Sequence, residues 1–264
     1  MDTLFIRQVY GLYRDNKPLN PLYKHSFLKC NSLEHINNMD KNRKYKYKYK
    51  LWNADQCDEL IKKYSPEFDY YFDTRFEIMK VDIIRFLILY DQGGIYLDMD
   101  VVLNTYNLDY LFDYPNELYT CYYYYYPTQR NNKPLIDIEI LATINPKNNV
   151  IKQFLNYIPT QILEKENMDW YEKCKIRFIF NTTGPNAFRR FLKTIKYEPY
   201  HLVTIYLDKQ DDFNNYNPEK YVPITTYFKV DFLSYYSLSY LKQVHGDKKI
   251  ATKYNNNKKK TNVN

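Results

Sequence analysis

The stretch Lys80–Asp100, KVDIIRFLILYDQGGIYLDMD, constrains this chain more than any other. Val81, Ile84, Leu87 and Ile88 recur at helical spacing, with Asp82 and Arg85 three apart on one side. The helix is expected to stop at Gly93-Gly94, because glycine takes a left-handed cap without steric cost. Ile95-Tyr96-Leu97 then reads as a short buried strand running into Asp98-Met99-Asp100. In an α/β sheet, ligands gather at the carboxyl ends of strands. Two carboxylates there suit a hard divalent cation, and such a cation can hold a diphosphate. A calcium-loop reading fails: Leu103 stands where that loop needs Gly, and Asp109 where it needs Glu.

The order of these parts is Asp82-Ile83-Ile84-Arg85, an apolar run, then Gly93-Gly94-Ile95-Tyr96-Leu97-Asp98-Met99-Asp100. It resembles the DXD sugar-binding region of glycosyltransferases related to the yeast-type initiating α-mannosyltransferases. A more distant likeness is to the glucosyltransferase domains of large clostridial toxins. An isolated DXD is a weak signal; the whole run in this order is a strong one. The resemblance implies a single GT-A-type domain of α/β class, with a Rossmann-like nucleotide-binding sheet flanked by helices. It further implies a metal-dependent hexosyltransferase that uses a UDP- or GDP-sugar, a glycan or protein acceptor, and retention of configuration.

By the same resemblance, Asp98 and Asp100 would hold Mn²⁺ or Mg²⁺, Asp82 would meet sugar or ribose hydroxyls, and Arg85 sugar or phosphate oxygens. Tyr96 would line the same wall. The bland alternative for Asp82 and Arg85 is a helix-surface ion pair worth under about 1 kcal/mol. No enzymic nucleophile is assigned.

The 264 residues are enough for one large domain, expected over 1–250, with an Asn/Lys-rich disordered tail over 251–264. No apolar run is long enough for a membrane span, and the N-terminus lacks the core of a signal peptide. A cytoplasmic location is the resulting expectation. Cys30, Cys57, Cys121 and Cys174 form no CxxC and read as buried thiols. The net charge of +7 invites a nucleic-acid partner. However, six positive charges lie in Lys41–Lys50 and six in Lys248–Lys260, which leaves the body at −5. No nucleic-acid partner is therefore expected.

Leu4–Tyr10 reads as the first strand. Ile6-Arg7-Gln8-Val9-Tyr10 is similar to the family's opening strand, with Arg7 either near phosphate or simply exposed. Pro21–Ile36 is expected to be helical. Lys44–Lys50 alternates Lys and Tyr, which is strand periodicity with a solvated lysine face. Asn53 then fits a helix N-cap, with Gln56 closing a capping box. The resemblance makes Trp52 and Asn53 candidates for nucleotide contact, Trp52 by stacking; a buried Trp and a plain cap are the alternative.

Leu118–Tyr126 and Ile136–Ile144 read as strands, and Val150–Leu163 as a helix. Glu139 falls near the place of a family Asn on the sugar or acceptor side. Asn181-Thr182-Thr183-Gly184-Pro185 resembles a second family signature, a turn before a helix over Asn186–Ile195, which places Gly184 on the acceptor side. Tyr221–Asp231 reads as a strand. His245 or Asp247 would complete the metal shell, or else lie in a surface loop. Two rival classes remain: a non-catalytic nucleotide- or sugar-binding module, and a basic nucleic-acid-binding protein. A nucleoside-diphosphate hydrolase is a lesser enzymatic alternative.

Overall fold

The computed structural model describes residues 2–9, 24–32, 44–99, 101–103, 108, 112, 117–126, 135–166, 168, 175–208 and 228–230. Asp100, His245, Asp247 and the tail lie outside the described residues.

The chain opens with strand β1 (Asp2–Val9), helix α1 (Lys24–Asn31) and strand β2 (Tyr45–Trp52). Helices α2 (Ala54–Lys63), α3 (Tyr70–Asp73) and α4 (Glu77–Gln92) follow. Strands β3 (Gly94–Leu97), β4 (Val101–Leu103), β5 (Tyr119–Tyr126) and β6 (Leu135–Thr143) come next. Helices α5 (Asn149–Glu166), α6 (Lys175–Thr182) and α7 (Pro185–Thr194) precede strands β7 (Tyr200–Asp208) and β8 (Phe228–Val230). The α/β class expected from the sequence is the class observed.

Among the described residues, the main sheet has six strands in the order β2-β1-β3-β6-β5-β7, and β4 pairs with β8 in a separate two-stranded ribbon. Strands β2, β1 and β3 are parallel, so Trp52, Val9 and Leu97 all end toward one edge of the sheet. Strand β1 has β2 on one side and β3 on the other, which makes the β1/β3 gap a topological switch point. Open α/β sheets bind ligands at the carboxyl ends there. Strand β6 runs antiparallel to both β3 and β5, and β7 returns parallel to β5.

Several local expectations hold. Tyr45 and Tyr47 are buried while Lys46 and Lys48 are exposed, as the alternation requires. Asn53 caps α2, and the reciprocal bonds with Gln56 form the full capping box. Cys30, Cys57 and Cys121 are buried and form no disulfide among the described residues. Gly93 and Gly94 have φ of 60° and 101°. A Cβ on Gly93 would lie 2.5 Å from the Ile144 carbonyl oxygen, and one on Gly94 2.5 Å from that of Phe5. Both steric space and backbone angle therefore demand glycine at this helix-to-strand corner.

Others are corrected. Helix α4 is buried on nearly every side, so it is the central helix rather than a surface one. Phe86, Phe154 and Phe188 lock it to α5 and α7 with ring centroids 4.7–5.1 Å apart. Asp82 and Arg85, which a helix surface would expose, are 5% and 3% exposed. Arg7 is buried rather than exposed. Its Nε donates to the Gly93 carbonyl at 2.8 Å and its Nη1 to Gln92 Oε1 at 2.9 Å, at the carboxyl end of α4. Burial pushes its guanidinium down to about 10, against the pull of Asp91. Helix α6 and strand β7 are additions that the sequence pattern did not reveal.

Candidate functional site

Strand β3 delivers Asp98 to the carboxyl edge of the sheet. Its amide donates to the Glu139 carbonyl at 2.9 Å, which continues the β3–β6 ladder by one bond. Its own carbonyl accepts from the Val101 amide at 3.0 Å and from Gln8 Nε2 at 3.1 Å. Gln8 is held in turn by the Tyr49 hydroxyl at 3.0 Å. Three neighbouring strands thus fix the backbone at Asp98.

A bulge in β6 completes this frame. Thr120 pairs with Leu141, yet the next β5 residue, Cys121, pairs with Asp137. Residues 138–140 therefore have no partner on β5, as extra residues in a bulge do. The freed carbonyl of Ile138 accepts from Arg85 Nη1 at 2.9 Å, and that of Glu139 takes the Asp98 amide.

The Asp98 carboxylate is 28% exposed and has two side-chain donors among the described residues. The Tyr96 hydroxyl reaches Oδ1 at 2.8 Å, and Arg85 Nη1 stands 3.1 Å away. Arg85 Nη2 donates to Asp82 Oδ1 at 2.9 Å, and its guanidinium lies 5.0 Å from the Tyr96 ring centre. Asp82 Oδ2 accepts from the Thr183 hydroxyl at 2.9 Å, across 101 residues of sequence. The two sequence signatures, one around Asp98 and one around Gly184, therefore meet in the core.

Burial and charge together set the titration of the cluster. One guanidinium serves two carboxylates, so the group carries net negative charge in a buried place. Burial lowers the Arg85 pKa, but Asp98, Tyr96 and Asp82 outweigh it and hold the guanidinium charged. For Asp82, burial exceeds the relief from Arg85 and Thr183, and its carboxyl is pushed up to about 6. Burial likewise raises the Tyr96 phenol well above its usual range. Asp137, at the foot of the bulge, is raised by burial. The Ile138 amide and the charge of Arg189 oppose this, and Asp98 reinforces it.

Other expected residues fall as follows. Trp52 is 3% exposed and packs in the core, with Lys50 Nζ 3.5 Å from its ring centre; its Nε1 has no hydrogen-bond partner among the described residues. Asn53 acts as a cap at the mouth of the same edge. Glu139 is buried, and its backbone carbonyl touches the site through Asp98. Gly184 caps α7, and a Cβ there would lie 2.9 Å from Phe180 Cα. Gln8, Asp137, Thr183 and Arg189 were not singled out from the sequence. Gln8 sits inside the opening-strand pattern and Thr183 inside the turn signature, so both signals were present. Among the described residues, no group of three His, Cys, Asp or Glu could hold a metal. Asp98 offers hard oxygen chemistry and solvent access, and it needs a second carboxylate to hold a cation.

Residues 31–116 match the family model described as "Glycosyltransferase sugar-binding region containing DXD motif". This segment of the chain is similar to such a region. It contains Asp82, Arg85, Tyr96 and Asp98 together with Asp100.

Two yeast proteins are similar to part of this chain. Inositol phosphoceramide mannosyltransferase 3 of Schizosaccharomyces pombe is 41% identical over 70 residues, 26% of this chain and 19% of that protein. Mannosyl phosphorylinositol ceramide synthase SUR1 of Saccharomyces cerevisiae is 40% identical over 55 residues, 20% of this chain and 14% of that protein. The chain therefore spans less than a fifth of the length of either. Among solved structures, PaToxG Glycosyltransferase aligns with a TM-score of 0.46 at 15% identity, over 74% of this chain and 70% of its own. The ligand-free glycosyltransferase domain of the YGT toxin gives 0.40 at 11%, over 74% and 78%.

The relatives correct the expected location. They are named for work on inositol phosphoceramide, a lipid, and a lipid substrate places such proteins at membranes. The cytoplasmic expectation is therefore overturned. No helix among the described residues is long and apolar enough to cross a membrane.

Proposed function

We propose that this chain is a glycosyltransferase that moves a hexose from a nucleotide-diphosphate sugar to a hydroxyl acceptor. The observation that carries the reading is the Asp98 carboxylate, presented at the β1/β3 switch point by a buried Arg85 and Tyr96 within the DXD region.

Asp98 and Asp100 would hold Mn²⁺ or Mg²⁺, which neutralises charge on the departing diphosphate. Arg85 supplies fixed positive charge beside Asp98, and Asp82 keeps that guanidinium in place. Trp52 and Asn53 border the same edge at the end of β2, where the nucleotide would enter. The names of the relatives make a mannosyl donor and a lipid-borne inositol acceptor the first pair to try. Retention of configuration is part of the proposal and is read from the product anomer.

A thermal-shift panel of GDP-mannose and UDP-glucose, with and without Mn²⁺, tests the reading. A bound donor stabilises the folded state by mass action, by about 2.7 kcal/mol at a hundredfold excess over Kd. A metal-dependent shift with one of them is the expected result. No shift with either at millimolar concentration overturns the proposal. The double change Asp98→Asn with Asp100→Asn is expected to remove the shift and leave the fold intact.

A further inference from the structure

Thr183 lies outside the DXD region, at the joint between α6 and α7, and it is fully buried. Its backbone is fixed by the helix end: the amides of Thr183 and Gly184 both donate to the Ile179 carbonyl, at 3.1 and 3.0 Å. Gly184 cannot carry a side chain without meeting Phe180 Cα, and Pro185 opens α7. The joint therefore leaves Thr183 little freedom.

Its hydroxyl has one proton to give. The Ile179 carbonyl lies 3.5 Å away and Asp82 Oδ2 lies 2.9 Å away, so the proton goes to Asp82. Asp82 is then gripped at both oxygens, by Thr183 on one side and Arg85 Nη2 on the other. A carboxylate held at both oxygens sets the plane of the guanidinium it faces. The same guanidinium spends Nη1 on the Ile138 carbonyl and on Asp98. Thr183, Asp82, Arg85 and Asp98 thus form a chain of contacts that runs from the helix joint to the edge of the sheet. Only its last member has substantial exposure.

We propose that Thr183 is a positioning residue which, through Asp82 and Arg85, holds the Asp98 carboxylate in the orientation that receives a sugar-nucleotide donor. The catalytic half of this inference rests on the donor reading above. The structural half rests on the bonds alone. Thr183 does not touch the reacting atoms. It acts because a valine of the same shape in its place would leave Asp82 Oδ2 without its donor. Asp82 would then be free to swing, and the groups facing it (Arg85 from α4, Asp98 from β3, Asp137 from β6) would rearrange with it.

The test uses the full chain with Thr183→Val and Thr183→Ser. The donor is whichever of GDP-mannose and UDP-glucose the wild-type chain uses. With Thr183→Val, kcat/KM is expected to fall about tenfold or more. The acid limb of its pH profile is expected to move upward, because the Thr183 hydroxyl lowers the Asp82 pKa. Thr183→Ser, which keeps the hydroxyl, restores both. A purely structural role would scale the whole profile without moving its limb, and that result overturns the proposal.

A second arm needs no donor. The folding equilibria of Thr183→Val, Asp98→Asn and the double variant are compared in urea. Coupling of about fivefold or more between these residues, which share no hydrogen bond, is expected. Additivity within about twofold overturns the relay. If neither nucleotide binds the wild-type chain, the donor reading fails while this cycle still decides the relay. Should Thr183→Val not fold, Thr183→Ala replaces it in both arms.

Discussion

Arg7 donates its Nε hydrogen to the Gly93 carbonyl at 2.8 Å, so the first strand clamps the end of the central helix where it turns into β3. The position of Asp98 depends on that corner, because β3 is only four residues long. The Arg7 side chain also covers Gly94, with Nε 3.2 Å from where a Cβ would stand.

Arg7→Met should therefore destabilise the fold. Methionine fills much of the volume but leaves the Gly93 carbonyl and the Gln92 amide group without their donor. A loss of about 1–3 kcal/mol is expected from the unsatisfied buried Gly93 carbonyl, while the exposed Gln92 amide can turn to water. Urea denaturation measures it. A change below about 0.5 kcal/mol, the scale of an ordinary surface substitution, would show that the clamp contributes little.

Gly94→Ala should be worse. The residue has φ of 101°, and the new methyl carbon would lie 2.5 Å from the Phe5 carbonyl oxygen, a backbone atom of the neighbouring strand. The strained angle alone costs roughly 1–3 kcal/mol. The overlap can be relieved only by separating β1 from β3. Loss of soluble protein, or a strongly lowered Tm, is the expected outcome; an unchanged Tm would contradict the corner geometry.

These corners were legible in the sequence because they are local. The Gly-Gly pair, the Asn53/Gln56 box and the Lys–Tyr alternation each state their structure within a few residues, through φ limits, capping bonds and strand period. Helix α6, Lys175–Thr182, carries no acidic residue in its first turn and mixes charge with aromatics, so it gave no start signal. The burial of Asp82 and Arg85 was not legible either. A helical pattern shows which residues share a face, but it does not show that Thr183, the Ile138 carbonyl and the Tyr96 ring close over that face. The Thr183–Asp82 bond and the bulge at 138–140 depend on pairings far apart in sequence. The proposed metal half of the site turns on Asp100, which lies outside the described residues.

Asp82 gives the cluster a pH signature. Its folded pKa of about 6 lies above the ordinary value of 3.8. Between those two values the folded state holds a proton that the unfolded chain has released. The contribution of this group is therefore fully present below pH 3.8, falls as pH rises toward 6, and is flat above. The span corresponds to roughly 3 kcal/mol at most. Asp82→Asn keeps the shape and removes the titration. The difference in unfolding free energy between wild type and Asp82→Asn should slope over about pH 4–6 and level off above it. A difference that stays constant with pH would mean that Arg85 alone keeps Asp82 ionised.

Arg85→Lys separates charge from geometry. The guanidinium serves Asp82, the Ile138 carbonyl and Asp98 from fixed positions on one plane. An ammonium is a compact point charge and cannot reach all three. At least one buried acceptor is left bare, and breaking such a pair costs about 3 kcal/mol. Among the described residues, the Asp98 carboxylate also loses one of its two side-chain anchors and keeps Tyr96. Urea denaturation should show the lost stability, and the donor-dependent thermal shift should disappear even at temperatures where the variant is folded. If the shift survives in the Arg85→Lys variant while stability falls, the guanidinium serves the core alone, and the orientation of Asp98 must be set by Tyr96 and the backbone bonds from Gln8 and Glu139.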